Sequence, residues 1–141
     1  MTLTDAGPLI ALLDRTERHH RTCTVALQEL PAEPMLTTWP CFTEAMYLLG
    51  QAGGNRYQAA LWNLRTGGRL FLHDLSPLEI DRTAALMDKY GDVPMDLADA
   101  SLVAVAESLS YRRIFTLDRH FHIYRLANRS VLETVPNLSA E

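Results

Sequence analysis

Lysine is nearly absent from this chain: of its 13 cationic residues only Lys89 is not arginine. Arginine grips phosphate through a planar fork, but the bias follows as readily from genome base composition, and it defines no function by itself. An excess of positive charge is also lacking. A formal charge of −4 argues against a protein that coats nucleic acid nonspecifically, because counterion release demands many cations along the contact surface. Cysteine is scarce. Cys23 and Cys41 lie far apart in segments that read as helical, so they make neither a zinc-type pair nor a disulfide framework, and buried free thiols are expected. No apolar run approaches the roughly 18 residues of a membrane-spanning helix. The opening segment has no positive n-region and already carries Asp5, so the chain is read as cytoplasmic, without a membrane partner. Repeats, linkers and low-complexity stretches are missing as well.

What remains is an ordinary folding composition. The chain has 141 residues, 48% of them hydrophobic and 21% charged, which fits a single domain over 1–141 that buries roughly two-thirds of its unfolded surface. Met1 to Thr4 reads as a short strand, with Asp5 at its end and a helix opening at Gly7-Pro8. A helix is expected from Arg21 to Leu30, closed by Pro31 and Pro34, then a strand from Met35 to Thr38 and a helix opened by Pro40 and ended by Gly50. The loop 51–55 follows, then a helix from Arg56 to Thr66 and a strand from Arg69 to His73. Ser76-Pro77-Leu78-Glu79 has capping-box spacing for a helix through Tyr90. Asp96 is placed as N-cap of a helix from Leu97 to Ser110, and strands are expected at 113–117 and 131–135. This alternation implies an α/β fold, a three-layer α/β/α sandwich with a mainly parallel central sheet.

In such sheets ligands bind beyond the carboxyl ends of the strands. Asp5 and Asp118 fall at two such ends, while Glu44 and Asp99 are read in the first turns of helices that follow strands. Four carboxylates meeting there would disfavour their own ionisation unless a divalent cation joined them. Mg2+ and Mn2+ choose oxygen ligands and keep several waters, so a few acids without His or Cys suit them. Each acid also has a plainer reading. Asp5 serves equally as a helix cap, Asp99 as a dipole-stabilising residue, Glu44 as a solvated charge and Asp118 as the start of a turn. Asp96 is left as an N-cap with a supporting role near the acids.

The segments TDAGPLIALLD, FTEAMYLL, MDLADASLVAVAE and IFTLDRHF, in this order and spacing, resemble the PIN-domain family of VapC-like toxins over about the whole chain. The resemblance implies metal-dependent endoribonuclease activity with Mg2+ or Mn2+ on RNA, the toxin role of a type II toxin–antitoxin pair, and a cognate antitoxin. It places the family's four acids at Asp5, Glu44, Asp99 and Asp118, as catalytic residues and metal ligands. Thr116 matches the small hydroxyl residue near the last acid. The four residues before Asp5 make a shorter first strand than is common in the family, which points to a misassigned start or a weak edge strand.

Among other residues, Arg119 is a candidate contact for RNA phosphate, and Arg112 and Arg113, also read near the acids, are taken as solvated charges. His19, His20, His120 and His122 are read as surface or packing residues, because hard cations choose oxygen. Trp39, Tyr47, Tyr57 and Trp62 are assigned to core or dimer packing rather than base stacking, and the helices between Pro40 and Gly67 are the expected homodimer face. The alternative function is a non-catalytic PIN-like module that binds RNA or protein. A phosphoacceptor receiver domain, with Asp74 as acceptor, is disfavoured because the sole lysine lies inside a helix rather than after the last strand.

Overall fold

Strands of three or four residues make a stable sheet only when their faces are well covered, and the computed structural model, which describes residues 1–138, has that arrangement. The elements run β1 (Thr2–Thr4), α1 (Ala6–Leu13), α2 (His20–Glu29), β2 (Met35–Thr38), α3 (Trp39–Gly53), α4 (Asn55–Thr66), β3 (Leu70–His73), α5 (Pro77–Lys89), α6 (Leu97–Leu109), β4 (Arg113–Phe115) and β5 (Glu133–Val135), with a 3-10 turn at Arg119–His122 before β5. Among these residues the sheet is wholly parallel, in the order β3-β2-β1-β4-β5. β1 is therefore the central strand, not a weak edge. Three residues suffice there because the strand has a neighbour on each side: Leu3 is in register with Leu36 of β2 and with Ile114 of β4.

Alternation along the strands divides the core. Leu3, Leu36 and Ile114 face α5 and α6, whereas Met35, Leu70 and Phe115 join the cluster built by α1 to α4. The result is the expected α/β/α sandwich. Buried hydroxyls are satisfied locally: Thr4 Oγ1 donates to the Thr2 carbonyl at 2.9 Å and Thr37 Oγ1 to the Thr4 carbonyl at 2.7 Å. In α6, Ala98 through Ala106 are all buried, the pattern of a helix enclosed on every side.

Several boundaries differ from expectation: β5 begins at Glu133 rather than at 131, other ends shift by a residue, and two differences have a visible cause. α3 continues past Gly50 to Gly53 and breaks only at Gly54, whose φ of +71° suits glycine. The earlier glycines serve close approach: a Cβ at Gly50 would lie 2.5 Å from Gln58 Nε2, and one at Gly53 would lie 2.5 Å from the Tyr57 ring. β4 ends at Phe115, short of Leu117, because the chain turns where Thr116 Oγ1 accepts the Asp118 N–H at 3.0 Å. The Ser76–Glu79 capping box forms as expected.

The aromatic residues narrow another expectation, that of core or dimer packing. Trp39, Tyr47 and Trp62 are 47%, 64% and 43% exposed, so they are not core. Trp39 packs edge-on to buried Phe42, which in turn meets Trp62. Cys23 and Cys41 are buried free thiols. Among the described residues no helix is long and apolar enough to cross a membrane.

Candidate active site at the carboxyl rim of the sheet

Parallel pairing brings the carboxyl ends of all five strands to one rim, and the acids gather around its centre. Asp5 follows central β1. Its backbone N–H donates to the Phe115 carbonyl at 2.9 Å, continuing the ladder to β4. Its side chain accepts from the Ala6 N–H at 2.8 Å and from Thr116 Oγ1 at 2.8 Å. Asp5 is thus both helix cap and rim carboxylate, so the two sequence readings are compatible. Asp118 is oriented from the same threonine, through its N–H, and its carboxylate accepts from the His120 N–H at 2.9 Å and lies 3.0 Å from His120 Nδ1. Thr116, fully buried, therefore couples the two acids.

On the other side of β1, Asp96 and Asp99 cap α6 reciprocally. Asp99 N–H donates to Asp96 Oδ1 at 2.8 Å and Asp96 N–H to Asp99 Oδ2 at 3.4 Å. Tyr124 donates its hydroxyl to Asp99 Oδ2 at 3.3 Å. Glu44 lies in the second turn of α3 rather than the first, is exposed, and lines an apolar cleft with Trp39, Tyr47, Asp96 and Leu97.

Electrostatics record how near these groups stand. Burial pushes Asp5 up to about 6, against the pull of its Thr116 and Ala6 hydrogen bonds, and the charges of Glu44 and Asp118 add to the rise. Asp99 is pushed up to about 8, first by burial and then by the charges of Asp96, Asp5 and Asp118. Glu44 is raised by burial and by Asp96 and Asp118. The Tyr124 hydroxyl and Cys41 thiol are raised too, each first by burial and then by the adjacent aspartate, Asp99 and Asp5 respectively. Asp5, Glu44, Asp96, Asp99 and Asp118 therefore form one mutually repelling set.

Among the described residues no three side chains of His, Cys, Asp or Glu stand together as a ready-made metal cage. The acids interact through charge rather than shared contact. Their chemistry nonetheless fits a hard divalent cation, since every donor is oxygen and Mg2+ is commonly held by one or two carboxylates with water completing its shell.

Other candidates separate by position. Arg119 lines a small cavity with Arg18, His19 and Thr22 beside Leu117. Arg112 and Arg113 lie at the amino end of β4, away from the acidic rim where the sequence reading put them, because a parallel strand carries its two ends to opposite edges of the sheet. His20 Nδ1 contacts the Ala11 carbonyl, His122 meets Thr134 and His73 pairs with Glu79, all packing roles. Tyr124 and the His120–Asp118 contact were missed by sequence reasoning. No spacing rule signals a tyrosine that reaches an acid 25 residues earlier across the fold.

No family model matches the chain. Ribonuclease VapC26 of Mycobacterium tuberculosis (strain ATCC 25618 / H37Rv) is 29% identical over 122 residues, covering 86% of this chain and 90% of that relative. The crystal structure of M. tuberculosis VapC20, described as a sarcin-ricin loop cleaving toxin, superposes with a TM-score of 0.80 at 16% identity, over 87% of this chain and 94% of the other. A toxin–antitoxin complex from Klebsiella pneumoniae contains a chain with a TM-score of 0.60 at 23% identity, over 84% and 87% of the two chains. Over most of its length the chain is thus similar in sequence to a VapC ribonuclease, and its sheet and helices share the PIN-like α/β/α architecture of solved VapC toxins.

Proposed function

We propose that the chain is a single PIN-like domain and a metal-dependent endoribonuclease, the toxin of a type II toxin–antitoxin pair acting in the cytoplasm. The observation that carries this reading is the set of acids at the centre of the carboxyl rim, with buried Asp5 and Asp99 held well above the usual carboxylate range. A cluster built at this electrostatic cost suits a divalent cation, Mg2+ or Mn2+. Similarity to a curated VapC ribonuclease supports the RNA substrate, and likeness to a chain from a toxin–antitoxin complex supports an antitoxin partner. The exposed Tyr47, Leu48 and Trp62 on α3 and α4 suit a homodimer face.

In this reading Asp5, Asp99 and Asp118 hold the cation, and Glu44 is a further ligand or the base that orients water. Bound there, the ion supplies positive charge to the phosphodiester oxygens and lowers the cost of activating water. Thr116 holds the Asp5 carboxylate directly and anchors the backbone of Asp118, whose carboxylate is held by His120. Tyr124 holds Asp99 from the opposite side, and Asp96 fixes the α6 N-terminus on which Asp99 rides. Exposed Glu44 is free to accept the proton of the attacking water as its oxygen bonds to phosphorus and the ester oxygen departs. Arg119 supplies a cation beside Asp118 for a neighbouring phosphate.

The test is cleavage of a panel of labelled RNAs by the purified protein, with Mg2+ or Mn2+ and with chelator. Metal-dependent cutting that Asp99→Asn reduces at least about a thousandfold, with the fold retained, is the expected result. Binding without cutting in the presence of metal would instead favour the non-catalytic module.

A further inference from the structure

Against the net charge of −4, four of the chain's 13 cations converge at one place. Arg82, Lys89, Arg125 and Arg129 line an open groove of about 610 Å3 with Leu126 and Ala127, and among the described residues no acidic one lines it. Arg82 is already committed to Glu107, at 2.9 and 3.0 Å. Lys89 rests over the Tyr90 ring, its Nζ 5.2 Å from the centroid. Arg125 donates from its guanidinium to the carbonyls of His122 and Ile123, both at 2.8 Å, and from its backbone to the Tyr90 hydroxyl at 2.8 Å. The ion pair neutralises Arg82, whereas the contacts of Lys89 and Arg125 brace those cations without neutralising them, since rings and carbonyls leave the full charge in place.

The groove is joined to the acidic rim by one residue. Tyr124 precedes Arg125, packs against Tyr90 with ring centroids 5.3 Å apart, and reaches Asp99 with its hydroxyl. Tyr124 thus touches Asp99 through its hydroxyl and adjoins Arg125 along the chain, which sets the groove next to the acidic rim, on the path of a strand that continues past the acids.

We propose that Lys89, Arg125 and Arg129 form a phosphate track that holds the single-stranded RNA backbone on one side of the cut bond. This rests on the ribonuclease reading and adds to it the direction in which substrate leaves the site. Polyanion and groove are complementary in charge, and the acidic remainder of the surface restricts the strand to this path.

The test compares wild type with Lys89→Gln/Arg129→Gln, which leaves the Arg125 side chain and its carbonyl contacts in place. On the best-cleaved RNA of the panel, KM should rise about tenfold with kcat unchanged, and the log–log salt dependence of kcat/KM should flatten by about 1.4, or 0.7 for each lost phosphate contact. Cleavage of bis-para-nitrophenyl phosphate, which offers only the reacting phosphodiester, should not change. Arg129→Lys, which keeps the charge, should behave as wild type. Unchanged KM and salt slope would overturn the track, as would an equal loss on the small diester, which would mark a local structural defect. If wild type cuts no RNA, the ribonuclease reading fails by itself. Binding of fluorescein-labelled single-stranded oligouridylate in chelator then decides the track: weaker binding by the double variant supports it, and equal binding overturns it.

Discussion

Thr116 shows how much a single buried hydroxyl does in this fold. It donates to the Asp5 carboxylate and accepts from the Asp118 backbone, so one side chain ties together the positions of two acids from distant parts of the chain. Thr116→Val keeps shape and volume but leaves the Asp118 N–H without its partner, which should cost about 1–3 kcal/mol in thermal or urea unfolding. Because such supporting contacts tune ligands, divalent-ion affinity should fall about 10- to 100-fold, read by the metal concentration that gives half-maximal cleavage. A loss of stability without any change in that concentration would reduce Thr116 to a packing residue.

The helical hairpin of α3 and α4 argues at the scale of elements. Helix propensity alone says that alanine at Gly53 stabilises α3 by about 1 kcal/mol. The structure reverses the sign, because the new Cβ would lie 2.5–2.7 Å from three carbons of the Tyr57 ring, and Tyr57 donates to Asp14 at 3.3 Å. Gly53→Ala is therefore expected to destabilise the protein by about 1–3 kcal/mol, the range of overpacked sites. A raised Tm would show that Tyr57 rotates away freely. The same contacts explain why α3 outruns its expected end at Gly50: that glycine makes room for α4, while the positive φ that breaks the helix lies at Gly54.

At the scale of the whole molecule, the acidic rim links stability to pH and metal. Asp5 and Asp99 have folded-state values raised from 3.8 to about 6 and about 8, so the folded state binds their protons more tightly than the unfolded chain does. Their contribution is present in full below about pH 4 and is lost as pH rises through 6 and 8. Metal-free protein should therefore lose Tm from this source between pH 5 and 8, and Asp99→Asn should flatten the loss. Mg2+ or Mn2+ should raise Tm more at pH 8 than at pH 5, with chelator reversing the gain, as linkage to a native-state ligand requires. A metal effect independent of pH would place the cation elsewhere.

Most of the element order, the sandwich class and the identity of the rim acids were legible in the sequence, because they rest on local signals. Proline and glycine punctuation, the Ser76 and Asp96 caps, and aliphatic runs each act within a few residues, and Asp5, Asp99 and Asp118 at strand or helix ends follow from that order, whereas Glu44 sits a turn deeper in α3 than its spacing implied. Tertiary structure alone decided the rest. It made three-residue β1 central, since register and burial come from neighbours far along the chain. It turned Gly50 and Gly53 into packing residues and left Trp39, Tyr47 and Trp62 exposed. It also set Tyr124 against Asp99 and gathered Lys89, Arg125 and Arg129 into one groove, because long-range proximity is a property of how helices and loops pack and leaves no periodicity in the sequence to read.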